Sequence, residues 1–190
     1  MAARKTSTFW YYVSKAIFWL AGWKLNGVVP PGINKSVMIA APHTSNWDFI
    51  MSRAAFFLMD VDVRLTIKKE WTTTPVLGPL VRSLGGLAVD RSKNNSLVDA
   101  MVQLFKERDE LVILITPEGT RAYQPRWRKG YYHAAVGAGV PIQLGFLDYK
   151  KKEAGVGPAI YPSGNYEADE EKIKAFYRTV TGRFPEKGIR

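Results

Sequence analysis

Apolar runs and helical stripes alternate along this chain. Val37-Met38-Ile39-Ala40-Ala41 is apolar throughout and reads as a short strand buried on both faces. Val63 to Ile67, Leu87 to Val89, Leu111 to Ile115, Pro141 to Leu147 and Pro158 to Tyr161 are further strand candidates. Helical patterns lie between them. Phe49 to Met59 is apolar and helix-permitting. Leu97, Met101, Leu104 and Phe105 fall at i, i+4, i+7 and i+8 after the cap signal Asn94-Asn95-Ser96. Ile173, Phe176, Tyr177 and Val180 repeat that spacing near the C-terminus. Strands alternating with helices of this length predict an α/β fold, with a largely parallel or mixed sheet flanked by helices. No internal repeat interrupts the pattern.

The first stretch is different. Residues 8–25 are strongly apolar and aromatic, interrupted by Lys15 and flanked by Arg4-Lys5 and Lys24. The run is shorter than the roughly 20 apolar residues of a spanning helix. Four aromatics at positions 9–12 make a poor signal-peptide core. Trp, Tyr and Lys together suit the water–lipid boundary, so we expect a helix lying on one leaflet. A first helix packed on its own domain is the alternative. Pro30-Pro31-Gly32 closes the stretch, dividing the chain into a membrane-associating segment with linker, 1–32, and a main domain, 33–190.

Three predicted strand ends carry unusual chemistry, at the edge of a parallel sheet where ligands gather. The first is Pro42-His43-Thr44-Ser45-Asn46-Trp47-Asp48. Five residues on a continuous helix would leave His43 and Asp48 about 140° apart. They can meet only with His43 in the loop and Asp48 in the first turn of the next helix, with Ser45 or Asn46 as its N-cap. Asp48 would then accept the Nδ1–H of His43 and leave Nε2 free as a base. The second strand end is Asp90-Arg91-Ser92, and the third is Pro117-Glu118-Gly119-Thr120-Arg121.

Composition narrows the chemistry. The absence of cysteine excludes disulfides, thiol catalysis and cysteine-bound zinc, and two histidines exclude a multi-histidine metal site. No metal site is expected. A net charge of +10 points to an anionic partner. No Gly-x-Ser-x-Gly elbow supplies a nucleophile for a serine hydrolase, and Thr44 and Ser45 share the turn of His43, a poor geometry for attack. Phosphate-cradling glycine loops are missing too. A His–Asp dyad without its own nucleophile more naturally deprotonates a substrate hydroxyl.

His43-x-x-x-x-Asp48 together with Pro117-Glu118-Gly119-Thr120-Arg121 resembles the glycerolipid acyltransferases, the 1-acylglycerol-3-phosphate acyltransferase superfamily. Lys68-Lys69-Glu70 with Pro75 and Gly78, Gly86-x-x-x-Asp90-Arg91 and Val140-Pro141-Ile142 extend the likeness over residues 35–165. The wording His-Thr-Ser-Asn-Trp-Asp looks like a compact bacterial branch. The resemblance implies that His43, oriented by Asp48, takes the proton of an acceptor hydroxyl as it attacks an acyl thioester. It implies that Arg91, Glu118, Gly119, Thr120 and Arg121 bind the acceptor and its phosphate, and that Lys68 serves the donor side or the oxyanion. Glu118 has a competing role as a structural partner of Arg91 or Arg121. No cofactor is implied beyond the co-substrate, acyl-CoA or acyl-carrier protein.

The expected partners follow: a thioester donor, a lysolipid acceptor and an anionic membrane surface, with the protein peripheral or monotopic on the cytoplasmic face of the cell membrane. Lysophosphatidate is the default acceptor. The Arg- and Trp-rich stretch Tyr123 to Gly130, placed to meet a head group or the membrane, leaves another lysolipid or an amino-lipid open. Trp47 is expected either to line the acyl tunnel or to pack the helix. The rival class is a non-enzymatic basic module binding lipid or nucleic acid. Dispersed basic residues and the lack of a nucleic-acid motif argue against nucleic acid.

Overall fold

A computed structural model describes residues 6–68, 74–75, 78–79, 85–89 and 97–190. The strands are β1 (Lys24–Leu25), β2 (Lys35–Ala40), β3 (Val63–Lys68), β4 (Gly86–Val89), β5 (Leu111–Ile115), β6 (Ile142–Asp148) and β7 (Glu153–Ile160). Among the described residues the helices are α1 (Thr8–Ala21), α2 (Trp47–Met59), α3 (Leu97–Glu107), α4 (Gly130–Ala138) and α5 (Tyr166–Tyr177), with a 3₁₀ turn at Pro185–Lys187. The seven strands form one sheet in the order β1-β7-β6-β2-β5-β3-β4. From β6 to β4 every neighbour is parallel, while β7 runs antiparallel to β6 and carries β1 on its far side. The sheet is therefore mixed, as the pattern predicts.

Side-chain alternation sorts the layers. Val37 and Ile39 of β2 join Met101, Phe105, Tyr131, Ala134, Ile173 and Tyr177 in one core, beneath α3, α4 and α5. Met38, between them, faces the other way, toward Phe56, Val63, Val112 and Val156. On that face α2 is in turn covered by α1 through Phe18, Met51, Ala54 and Ala55. Burial on both faces explains why β2 and β5 read as unbroken apolar runs. The fully buried Tyr177 hydroxyl donates to the carbonyl oxygens of Ile39 and Gly145, 2.8 Å and 3.0 Å away, so α5 is pinned to the end of β2 and the middle of β6.

Three elements differ from the sequence expectation. Strand β7 begins at Glu153, five residues before the predicted start; in its first half, Glu-Ala-Gly-Val-Gly, only Val156 is a strand former, so the sequence signal there is weak. Gly155 is there for space: a Cβ would lie 1.6 Å from the Asn26 carbonyl oxygen. Helix α4 went unpredicted because Gly-Tyr-Tyr-His-Ala-Ala-Val-Gly-Ala carries no polar stripe. Helix α5 stops at Tyr177, short of Val180.

The aromatic N-terminal stretch becomes α1, capped by the Ser7 hydroxyl and closed by Gly22 in the left-handed conformation. Trp10 stacks on Phe57 and the Thr6 amide donates to Asp60, both at the C-terminal end of α2, while Phe18, late in α1, packs with Met51 nearer the start of α2, so the two helices run antiparallel. The opposite face of α1 leaves Phe9, Tyr12, Trp19 and Leu20 largely exposed. The chain then adds β1 to the sheet, ahead of residue 32. No described helix is long and apolar enough to cross a membrane.

Candidate active site

Parallel pairing carries the ends of β6, β2 and β5, side by side, to one edge of the sheet. Each end delivers one side chain to a common point: Tyr149 after β6, His43 after β2 and Glu118 after β5. The turn after β2 contains a cis Ala41–Pro42 bond, and α2 starts at Trp47, so His43 lies in a loop and Asp48 in the first helical turn. The two side chains meet as the spacing requires. His43 Nδ1 lies 3.0 Å from Asp48 Oδ2, and the imidazole is a quarter exposed.

Asp48 is the most heavily bonded group of the site. Oδ2 also accepts the amides of Thr44 (2.9 Å) and Ser45 (3.0 Å), and Oδ1 accepts the Tyr149 hydroxyl at 2.7 Å. Burial alone would raise its pKa. The hydrogen bonds from His43, Tyr149, Ser45 and Thr44 outweigh burial and hold the carboxyl below its ordinary value. Asp48 is thus a fixed anion, and with it at Nδ1 the imidazole carries its proton there and presents Nε2 as acceptor.

The capping differs in detail from expectation. Asn46 occupies the N-cap position in helical conformation, and its side chain makes no cap. Its carbonyl instead accepts from the Arg121 guanidinium. The Ser45 hydroxyl accepts the Trp47 amide at 3.2 Å, and the Thr44 hydroxyl accepts the Phe184 amide at 3.2 Å. Both hydroxyls are engaged in holding the turn. Trp47 neither lines a tunnel nor packs the helix. It is half exposed, with the Arg183 guanidinium 5.4 Å from its ring centroid.

Of the two arginines expected as structural partners of Glu118, Arg91 lies outside the described residues and Arg121 does not meet it. Glu118 is buried and accepts the backbone amide of His43 at 2.9 Å, with no ion pair to Arg121. Burial pushes its pKa from 4.5 to about 7, against the lowering effect of the His43 amide and imidazole, with the Asp48 charge adding to the rise. Gly119 next to it has φ +65°, and a Cβ there would meet the Arg128 guanidinium 2.7 Å away. Thr120 closes its own turn by accepting the Ala122 amide at 3.4 Å. Lys68 ends β3 at the same edge, but its side chain lies outside the described residues, as does Arg91. The Asn94-Asn95-Ser96 cap signal and the Lys69-Glu70 and Asp90 matches lie outside them too. Trp127, expected at a head group or the membrane, is buried against Tyr131 and Tyr177. Among the described residues no cluster of carboxylates and histidine is arranged to hold a metal.

Linkage turns the Glu118 shift into a prediction. A folded pKa near 7 against 4.5 unfolded means that the native state binds more protons between those values, so stability falls as pH rises through that window. Glu118→Gln keeps an acceptor for the His43 amide and removes the buried charge. It is expected to stabilise the protein at pH 8 by up to about 3 kcal/mol, up to roughly 10 °C in Tm, and to give no gain below pH 4.5. Equal melting differences at both pH values would contradict this.

The dyad opens onto a cavity of about 400 Å³. Its wall follows α2 inward from Asp48 through Ser52, Ala55, Phe56 and Met59, with Leu65, Leu114 and Leu147 from the sheet and Arg121 at the polar end. The stripe 48, 52, 55, 56, 59 is one face of a helix. Charge is confined to the mouth.

A general acyltransferase family model matches residues 26–143, which hold both motifs. The chain belongs to the acyltransferase family. Over 108 residues this chain is 35% identical to the 1-acyl-sn-glycerol-3-phosphate acyltransferase of Salmonella typhimurium and 32% identical to that of Escherichia coli K12. Each match covers 54% of the chain and 42% of the relative, so the chain spans about two fifths of the length of the relatives it matches. A crystal structure of a lysophosphatidate acyltransferase, PlsC, from Thermotoga maritima superposes with a TM-score of 0.60 over 88% of this chain and 76% of that one, at 15% identity. That likeness shows the acyltransferase fold.

Proposed function

We propose that this acyltransferase works at a membrane surface and moves a fatty acyl group from a thioester donor, acyl-CoA or acyl-carrier protein, to a hydroxyl of a lysophosphatidate-type acceptor. The observation that carries the reading is the His43–Asp48 pair, 3.0 Å apart, at the mouth of an apolar cavity shaped for a chain. His43 Nε2 takes the acceptor's hydroxyl proton while that oxygen attacks the thioester carbonyl. The C–S bond then breaks and the thiolate takes the proton back from the imidazolium. No acyl-enzyme forms, consistent with the engagement of the Thr44 and Ser45 hydroxyls in the turn. Arg121 stands where an acceptor phosphate meets a planar cation. Arg91 and Lys68 are proposed for the phosphate and the oxyanion respectively. The relatives' substrate, 1-acyl-sn-glycerol-3-phosphate, suggests the acceptor.

In this reading α1 rests on the cytoplasmic face of the cell membrane, residues 1–32 serve docking and residues 33–190 serve transfer. Trp19 and Leu20 lie largely exposed at the end of α1, and antiparallel packing sets them beside the start of α2, where Trp47, Phe49 and Ile50 are exposed. Lys152 donates to the Ala21 carbonyl at the end of α1 and the Arg183 guanidinium lies over the Trp47 ring, so both bring positive charge to that edge. Basic groups at an anionic leaflet contribute about 1 kcal/mol each. Trp19→Glu with Leu20→Glu is therefore expected to weaken sedimentation with anionic vesicles about tenfold, while turnover of a short-chain soluble acceptor is kept. Unchanged vesicle binding would remove α1 from the docking surface.

The test of function is a panel: palmitoyl-CoA with lysophosphatidate, other lysolipids and amino-lipids in liposomes, following thiol release and product mass. Transfer to lysophosphatidate is the expected outcome. No thiol release with acyl-CoA or with acyl-carrier protein donors would return the chain to the binding-module class.

A further inference from the structure

Asp48 has two carboxylate oxygens with separate duties. Oδ2 faces His43 Nδ1 and the amides of Thr44 and Ser45. Among the described residues only the Tyr149 hydroxyl reaches Oδ1, at 2.7 Å. The torsion that turns a carboxylate about its Cβ–Cγ bond is soft, so with Oδ1 left without a donor the group is anchored at Oδ2 alone and its rotation is less closely fixed. Any swing moves Oδ2 away from Nδ1. A buried carboxylate oxygen left without a donor is costly as well.

Tyr149 is itself held on every side. It sits in the turn between β6 and β7, where the buried Asp148 carboxylate accepts the amides of Lys150 and Lys151, each at 3.0 Å. Its own amide donates to the Thr181 carbonyl at 2.9 Å. Trp23 meets its ring edge-on with centroids 4.9 Å apart, and the Arg183 guanidinium lies 6.0 Å from its centroid. Residues 23, 149, 181 and 183 all lie outside the stretch 26–143 that the family model matches. No motif reading brings them to the site.

We propose that Tyr149 is a positioning residue of the transfer reaction: its hydroxyl locks the Asp48 carboxylate in the rotation that orients His43. The proposal rests on the reading of His43 as general base. Tyr149 does not line the cavity, so its effect falls on the chemical step and not on chain binding.

Tyr149→Phe is the decisive variant, since it keeps the ring between Trp23 and Arg183 and deletes the hydroxyl. We expect kcat to fall about tenfold with KM for donor and acceptor unchanged. The acid limb of the kcat profile moves to higher pH, because an Asp48 with one donor fewer is more basic and holds the imidazolium more firmly. Among the described residues the titratable and charged groups around the pair are His43, Glu118, Arg183 and, at the cavity mouth, Arg121. Burial lifts Glu118 to about 7, so the profiles are compared in a Glu118→Gln background to remove its titration. A purely structural role would lower yield or kcat without moving the limb.

A reading free of activity accompanies it: the Nδ1–H proton resonance of His43, assigned against His133, the one other histidine, shifts in Tyr149→Phe. Unchanged kcat and limb in that variant overturn the proposal, and so does a fall in kcat with the limb and the resonance in place. His43→Ala separates the two levels. Retained activity there sinks the general-base reading itself, whereas an inactive His43→Ala beside an unaltered Tyr149→Phe sinks only the role of Tyr149.

Discussion

His43→Ala is expected to lower acyl transfer by about a thousandfold, within the range that a positioned general base contributes. The imidazole is partly exposed and packs little, so the fold should keep its melting temperature within a few degrees. Asp48→Asn is the sharper companion. Asn keeps the shape and still offers one oxygen to the Thr44 and Ser45 amides, but it removes the anion that fixes the Nδ1–H tautomer and stabilises the imidazolium. A loss of about a hundredfold or more is expected, with circular dichroism unchanged. Asp48 also carries a pH signature of its own. Its lowered pKa means that its stabilisation is present above the unfolded carboxylate pKa and is lost as pH falls through the folded one, a loss on the acid side that Asp48→Asn should remove. Activity in His43→Ala near the wild-type level would end the acyltransferase mechanism set out above.

Ala55→Phe should produce the second large effect, and a selective one. Ala55 lies two turns beyond Asp48 on the α2 stripe, about 10 Å along the helix axis. A phenyl ring there fills the cavity between its mouth and Met59. Turnover of palmitoyl donors should drop by about a hundredfold, while hexanoyl or octanoyl donors, whose chains end before the ring, keep most of their rate. Overpacking costs about 1–3 kcal/mol of stability, so the comparison is made between donors on the same folded variant. Equal losses on short and long donors would mean that the chain does not enter along α2.

What was legible in the sequence depended on whether a feature is local. The strands buried on both faces, β2 and β5, announced themselves by unbroken apolar runs. His43 and Asp48 were readable as a pair because five residues across a loop-to-helix junction leave one geometry in which they meet. Features decided by neighbours were not readable. The glycine-rich start of β7 is a strand because Asn26 needs the space beside Gly155. Trp127, in a stretch full of arginine, is a core residue because Tyr131 and Tyr177 close over it. Among the described residues Glu118 turns to the His43 amide and not to Arg121, a contact that only the adjacency of β5 and β2 creates. Tyr149 sits 101 residues from Asp48, and only the adjacency of β6 and β2 joins them.

That separation along the chain has a consequence for synthesis. The segment carrying both motifs leaves the ribosome well before Tyr149, and before Phe184, whose amide ties down Thr44 across 140 residues. Translation proceeds at about 5–20 residues per second. For several seconds a nascent chain displays His43, Asp48 and Glu118 without the groups that set the carboxylate's rotation and brace the turn. The complete hydrogen-bond set around Asp48 and Thr44 forms only when the last third of the protein folds back onto the first.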